Sequence, residues 1–193
     1  MLLLPRVFKM GLIQDIQRKI QDYFISRLQA EETLVSRFDN LKQSKSLSMF
    51  FCIENKKELD QVRQLIQKSG NDFKKLDVYI FGNSHESFDV ITNKSIFFFN
   101  LEDFTIFGKK KERLEDFFKN KKHDLLISFD TTGLPVCQKL TADINAGFKI
   151  GLNTPENTNI FNLSFDYDEN KFSYIKFYEQ VLYYISVLNI KTT

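Results

Sequence analysis

The segment from His123 to Leu152 constrains the fold most, because its thirty residues have the pattern of a strand, a turn, a helix and a second strand. Leu125 to Phe129 is a short apolar run, typical of a strand buried on both faces of a sheet. Pro135 follows where a first helical turn begins, since its missing N–H and fixed φ cost little there. The pattern predicts a helix from about Leu134 to Asn145 that is capped by Gly147. The segment is therefore a βαβ unit, which indicates a parallel sheet.

The rest of the chain continues this alternation of strands and helices. Further strands are predicted at Ser46 to Ile53, Leu76 to Phe81, Ser95 to Phe99 and Leu163 to Phe165. Helical spacing of apolar residues predicts a helix that ends at Gly70, a short one from Arg113 to Lys119 and a long one from Phe172 to Leu188. Asn55 and Glu58 have capping-box spacing before the first of these helices. A short helical turn that ends at Gly108 is also predicted.

An amphipathic helix is predicted before the first strand. Its apolar face repeats at helical spacing at Ile13, Ile16, Ile20, Phe24 and Leu28. The opposite face mixes acidic and basic residues, which favours packing on the domain or on a partner subunit over a membrane surface. We therefore expect a helical extension over residues 1–45 and one domain over residues 46–193. Met1 and Met10 are both candidate starts.

Together these elements predict a three-layer, Rossmann-like α/β domain. We expect a mostly parallel sheet of five or six strands, most simply in the order 3-2-1-4-5, with amphipathic helices at the N- and C-terminal ends of the chain. The 193 residues suffice to bury the core of one such domain. The sequence contains 21 Phe and 7 Tyr, and we expect them to fill that core.

Charge and cysteine content limit the function classes. Lys and Arg number 27 against 25 Asp and Glu, a formal net charge of +2 that by itself is weak evidence for a polyanionic partner. Cys52 and Cys137 lie where small buried apolar residues would fit, so we expect free, buried thiols. Free thiols suit a reducing compartment, which predicts a cytoplasmic protein. The spacing of Cys and His does not indicate a metal site, and the sequence predicts no cofactor.

Polar residues follow the predicted strands where each strand ends. In an open parallel sheet ligands bind outside the carboxyl ends of the strands, so these residues are the candidate ligand site: Glu54, Asn83, Ser84, His85, Asp130, Thr131, Thr132 and Asn153. Turns and helix caps select the same residue types for their own hydrogen bonds, and this structural interpretation is favoured over catalysis. No phosphate-loop, dinucleotide or nucleophile-elbow motif is present in the sequence. His123 is expected to be a boundary residue before its strand.

A basic segment precedes the βαβ unit and is the candidate polyanion surface. Its cations are Lys109, Lys110, Lys111, Arg113, Lys121 and Lys122. They alternate with phenylalanines, so the segment could contact RNA phosphates and stack on bases. Acidic residues between the lysines favour a solvated helix whose phenylalanines face inward.

The order and spacing of several segments resemble a known family. The N-terminal amphipathic helix, the run SIFFFNLEDFTIFGK at 95–109, DLLISFD and AGFKIGL are similar to an uncharacterised Bacteroidota family, classed as a domain of unknown function. This resemblance covers nearly the whole chain and implies no activity, cofactor or catalytic residue. DLLISFD and AGFKIG also resemble, more faintly, the N-terminal half of heptosyltransferase-type glycosyltransferases. The second Rossmann-like half of those enzymes, which binds the nucleotide sugar, has no counterpart in this sequence.

The sequence thus predicts a non-catalytic binding or protein-interaction module. Its partner is expected to be another protein, or a second copy of the chain bound through the N-terminal helix. One alternative is a small enzyme or a binder of phosphorylated ligands that uses the strand ends. The other is an RNA or ribosome contact through Lys109 to Lys122.

Overall fold

The computed structural model describes residues 44–70, 72–82, 94–105, 109–154 and 160–187. The predicted N-terminal helix lies outside the described residues. So do Asn83, Ser84 and His85 of the candidate ligand site.

Six strands of the described chain form one fully parallel sheet in the order β3-β2-β1-β4-β5-β6. The strands are β1 (Ser46–Ile53), β2 (Lys75–Gly82), β3 (Lys94–Phe99), β4 (His123–Ser128), β5 (Ala146–Leu152) and β6 (Leu163–Phe165). The predicted order is confirmed, and β6 extends it beside β5. The chain runs outward from β1 to β3 and then returns to β4, so the topological switch point lies between β1 and β4.

Four helices of the described residues cover both faces of the sheet. They are α1 (Lys56–Ser69), α2 (Glu112–Lys119), α3 (Pro135–Asp143) and α4 (Tyr174–Val187), and a 3-10 turn spans Leu101–Asp103. Helices α1 and α4 enclose one apolar cluster, and α2 and α3 enclose a second on the opposite face. The predicted three-layer α/β architecture is confirmed.

Strand β1 shows how the sheet divides the core. Met49, Phe51 and Ile53 belong to the cluster under α1 and α4, whereas Phe50 and Cys52 belong to the cluster under α2 and α3. This alternation follows from the two-residue period of a strand. Many of the phenylalanines fill these clusters, as expected from the sequence.

The predicted cap at Gly147 is wrong. Helix α3 ends at Asp143, and Ile144 is its extended C-cap, whose N–H bonds to the carbonyl oxygen of Leu140. The Ile144 side chain is 1% exposed in the core, so the chain leaves the helix there and enters β5. Gly147 is a residue of that strand.

The predicted helical turn before Gly108 is shorter than expected. It spans only Leu101–Asp103: Asn100 and Asp103 form a capping box at its start, and the Phe104 N–H bonds to the carbonyl oxygen of Leu101 at its end. Phe104 then pairs with Lys110 in an isolated antiparallel bridge. Gly108 itself lies outside the described residues.

Candidate functional site

A cleft of about 540 Å³ opens at the carboxyl ends of β1 and β4, at the switch point of the sheet. We call it the switch-point cleft. The strand ends contribute Cys52, Glu54, Thr131 and Thr132 to its lining. Helix α1 contributes Lys57, Glu58 and Gln61, preceded by Asn55, and the rest of the lining consists of Leu134, Tyr167, Glu169, Phe172 and Tyr174. This is the place where the sequence predicts ligand binding, and three of the predicted residues line it: Glu54, Thr131 and Thr132.

The N-terminus of α1 forms part of the cleft wall, and a carboxylate of the chain already caps it. Asn55 Oδ1 accepts a hydrogen bond from the Glu58 N–H at 3.1 Å, and the Asn55 amide donates to Glu58 Oε1 at 2.7 Å. Glu58 Oε2 in turn accepts from the Glu54 N–H at 2.8 Å. The predicted pairing of Asn55 with Glu58 is therefore present, although the glutamate reaches one residue further back than in a standard capping box. Because Glu58 brings a negative charge to the N-terminus of α1, that terminus is a poor site for an additional anion.

Part of the cleft lining is aromatic. The ring centroids of Tyr167 and Phe172 lie 5.5 Å apart, and those of Phe172 and Tyr174 lie 5.6 Å apart, both in edge-to-face contact. The Tyr167 hydroxyl donates to the carbonyl oxygen of Thr131 at 3.3 Å. Burial, followed by the charge of Glu58, raises the pKa of Tyr174, so its hydroxyl stays protonated. The lining of the cleft thus combines flat apolar surface with carboxylate and amide groups.

Asp130 lies beneath the cleft and holds the turn between β4 and α3. Its Oδ1 accepts from the Thr132 N–H at 2.9 Å and from the Thr132 hydroxyl at 2.6 Å. Gly133 completes the turn at a φ of 61°, a conformation that costs glycine least. Burial raises the pKa of Asp130, and the hydrogen bonds from Thr132 and Gly133 oppose this shift. Asp130 is 3% exposed, so its role in this structure is to shape the loop that lines the cleft.

Two free thiols adjoin Asp130. Cys52 and Cys137 are both free and buried, as predicted. Their sulfurs and a carboxylate oxygen of Asp130 all lie within 4.8 Å of one another. Burial, reinforced by the contact with Cys52, raises the pKa of Cys137 well above its usual value.

Asn153 does not join the cleft. It follows β5, one strand beyond the switch point, and its side-chain amide donates to Asp166 Oδ1 at 2.7 Å. Its N–H bonds to the carbonyl oxygen of Phe165. Asn153 is exposed and holds the loops after β5 and β6 together.

Half of the candidate cations in the basic segment form ion pairs. Lys110 pairs with Asp143 at 2.9 Å, Arg113 with Asp103 at 3.4 Å and Lys121 with Asp77 at 3.1 Å. Lys109, Lys111 and Lys122 are exposed. Phe104 and Phe118 are buried, as predicted for phenylalanines that face inward. They are therefore not available for stacking on bases.

A buried polar cluster at the amino end of the sheet was missed by sequence reasoning. His123 is the first residue of β4 and 1% exposed, and its Nε2 lies 2.8 Å from the Tyr79 hydroxyl and 3.6 Å from Asp77 Oδ2. His123 does lie at the boundary of its strand, as expected, but it is buried there in edge-to-face contact with the ring of Tyr79. The sequence feature that could have revealed this cluster is Asp77 within the apolar strand β2, because a buried carboxylate requires polar partners.

Comparison with known proteins gives one match. Residues 17–188 match the model of a family of unknown function, DUF6913. No curated protein and no solved structure matches the chain. None of the helices in the described part of the chain has the length and apolar character that crossing a membrane requires.

Proposed function

The chain belongs to the DUF6913 family of unknown function, and we propose that it is a non-catalytic binding protein whose ligand occupies the switch-point cleft. The observation that carries this proposal is the position of the cleft at the carboxyl ends of β1 and β4. In open α/β sheets the return of the chain at the switch point leaves a crevice between the connecting loops, and ligands bind there. The sequence predicted the same edge of the sheet from its polar strand ends.

The lining favours an uncharged ligand with a flat face and hydroxyl groups, such as a nucleoside. Tyr167 and Phe172 offer aromatic surface for a planar ring. Glu54, Glu58 and Glu169 offer carboxylate oxygens that accept hydrogen bonds from hydroxyl or amino groups. A phosphorylated ligand is less well supported, because the lining formed by the described residues holds these three carboxylates and one lysine, Lys57.

A thermal-shift screen of the purified protein tests this proposal. It compares nucleosides with their phosphorylated counterparts and with free sugars. A ligand at a hundred times its dissociation constant stabilises the protein by about 2.7 kcal/mol, which is readily detected. We expect nucleosides to raise the melting temperature and nucleotides to raise it less. A screen without any shift would count against a small-molecule ligand, and a preference for nucleotides would refute the ligand class.

Protein interaction is a second candidate function. Its support is the end of α4, where Tyr183 is 64% exposed and Val187 is 51% exposed. Exposed apolar groups of this size are typical of contact surfaces when they cluster. We propose that this surface, or the amphipathic helix predicted within residues 1–45, contacts a partner protein or a second copy. Sedimentation analysis of the intact chain and of Tyr183→Ser tests self-association, which the variant should weaken.

The remaining proposals follow from weaker observations. A cytoplasmic location is proposed from the two free thiols, Cys52 and Cys137. An RNA contact through Lys109 to Lys122 is the least supported function, because half of the six candidate cations already pair with carboxylates. The match to the family model shows neither a Bacteroidota source nor a likeness to heptosyltransferases.

A further inference from the structure

Three potential metal ligands converge beneath the switch-point cleft. Cys52 lies near the end of β1, Asp130 follows β4, and Cys137 lies in the first turn of α3. Their exposed fractions are 4%, 3% and 0%. One ligand atom from each lies within 4.8 Å of the other two. Three elements that meet at the switch point thus direct two sulfurs and a carboxylate to one place.

The charge of Asp130 has no counter-ion among the described residues. No lysine, arginine or histidine of this part of the chain lies within 4.0 Å of its carboxylate. Its hydrogen bonds come from Thr132 and Gly133, which are neutral donors. A buried carboxylate without a cation costs free energy unless it takes up a proton or binds a cation. The adjacent thiols can supply two further ligands to such a cation once they lose their protons.

We propose that Cys52, Asp130 and Cys137 bind a thiolate-preferring divalent cation, of which Zn²⁺ is the best fit. Two thiolates and a carboxylate form a ligand set that suits Zn²⁺, and its tetrahedral geometry leaves a fourth position. Cys52 also lines the cleft. Zn–S bonds of about 2.3 Å place two sulfurs about 3.8 Å apart in a tetrahedron, a separation inside the 4.8 Å within which the three ligand atoms now lie. Binding releases both thiol protons to solvent.

This site has no signature in the sequence, because its ligands are not spaced as a motif. The chain between Cys52 and the other two ligands contains α1, β2, β3, α2 and β4, and the parallel pairing of β1 with β4 brings the ligands together. The expectation of no metal rested on spacing alone. The inference does not rest on the proposed function, because the mutual distances and the burial of the three ligands identify the site without any ligand in the cleft.

Co²⁺ binding to the reduced, chelator-treated full-length protein tests the proposal. Co²⁺ replaces Zn²⁺ in thiolate sites and gives a sulfur-to-metal charge-transfer band. We expect one Co²⁺ per chain with this band, and displacement of Co²⁺ by added Zn²⁺. Cys137→Ser and Asp130→Asn should each weaken binding by at least about 100-fold, since even outer groups around a metal site contribute 10- to 100-fold. Glu115→Gln, on the exposed surface of α2, is the matched control and should bind Co²⁺ as the unmodified chain does.

A second measurement keeps the proposal testable if a variant fails to fold. In the unmodified protein, bound Zn²⁺ should slow alkylation of both cysteines by iodoacetamide, because metal-bound thiolates are less available to the reagent. The proposal is overturned if Co²⁺ gives no charge-transfer band, or if binding persists in Cys137→Ser. It is also overturned if mild peroxide joins Cys52 to Cys137 in a disulfide while the reduced protein takes up no metal. Nucleoside binding that survives in Cys137→Ser would leave the proposed function standing while the metal site fails.

Discussion

The Tyr79 hydroxyl and Nε2 of His123 are hydrogen-bonded at 2.8 Å inside the amino half of the sheet. Asp77 Oδ2 lies 3.6 Å from the same nitrogen and also pairs with Lys121 and Lys75. Burial lowers the pKa of His123 to about 4, because it outweighs the opposing charge of Asp77, and the nearby lysines add to the shift. The imidazole is therefore neutral at pH 7, in contact with a tyrosine whose pKa burial raises.

Stability should fall in mild acid because of His123. The unfolded chain takes up a proton near pH 6.5, whereas the folded chain resists protonation until about pH 4. The contribution of neutral His123 to the free energy of unfolding is thus fully present above pH 6.5. About 3 kcal/mol of it is lost as the pH falls to 4. Urea unfolding between pH 7.5 and 4 measures this. His123→Gln should unfold with a flatter pH profile, and a profile equal to that of the unmodified chain would contradict the assignment.

Lys121 should matter for stability more than its neighbour Lys122. The Lys121 ammonium pairs with the buried carboxylate of Asp77 and lies 4.1 Å from the ring centroid of Phe97. Lys121→Met keeps the aliphatic stem but removes a partner of that carboxylate, which should cost about 1–3 kcal/mol. Lys122→Met is the matched control, because Lys122 is exposed, and should change stability by less than about 0.5 kcal/mol. Equal effects in denaturant unfolding would show that the ion pair contributes little.

Thr132→Val should destabilise the loop beneath the cleft. The substitution keeps the shape of the side chain and removes the hydroxyl that donates to Asp130 and accepts from the Leu134 N–H at 3.3 Å. Loss of a hydrogen bond to a buried charged group should cost about 1.5–3 kcal/mol. Thr131→Val, one residue earlier in the same loop, is the comparison, and the free energies of unfolding of the two variants decide the point. A loss at Thr131 as large as that at Thr132 would contradict the role of the Asp130 contact.

Gly151→Ala should be destabilising because the added methyl group would clash with an aromatic ring. A Cβ at Gly151 would lie 2.2 Å from Cζ of Phe161, closer than carbon atoms approach. Overpacking of this kind should cost about 1–3 kcal/mol. Introducing Gly151→Ala into a Phe161→Ala background removes the clash, so the same substitution should cost much less there. A double-mutant cycle by thermal unfolding measures the difference, and additive effects would refute this packing.

The strands and their order could be predicted because each strand is a short apolar run with turn residues at both ends. The βαβ unit fixed β4 next to β5, and parallel crossovers left few other arrangements. The cap at Gly147 failed because the tertiary contact of Ile144 decided where α3 ends. Local glycine signals cannot report such a contact, since it depends on a core that forms across the whole sheet.

The candidate site, too, could be predicted from the sequence only in part. Glu54, Thr131 and Thr132 were found because strand ends at a switch point meet in space. Asn153 was expected with them, but it lies one strand too far and pairs with Asp166. The His123 cluster and the two thiols beside Asp130 were not found as sites. Tyr79 and His123 are 44 residues apart in the sequence, and Cys52 and Asp130 are 78 residues apart. Side chains at such separations show no spacing pattern.

The central claim is that the switch-point cleft binds a small uncharged ligand, and calorimetric titration with a nucleoside tests it most directly. Glu54→Gln combined with Glu169→Gln removes two carboxylates of the lining without adding bulk. If these groups accept hydrogen bonds from the ligand, affinity should fall about 10- to 100-fold, whereas Glu115→Gln on the exposed surface of α2 should leave it unchanged. Saturable binding that is weakened only by the cleft variant is the predicted result. Absence of binding to the unmodified chain, or equal affinity in all three proteins, would contradict the claim.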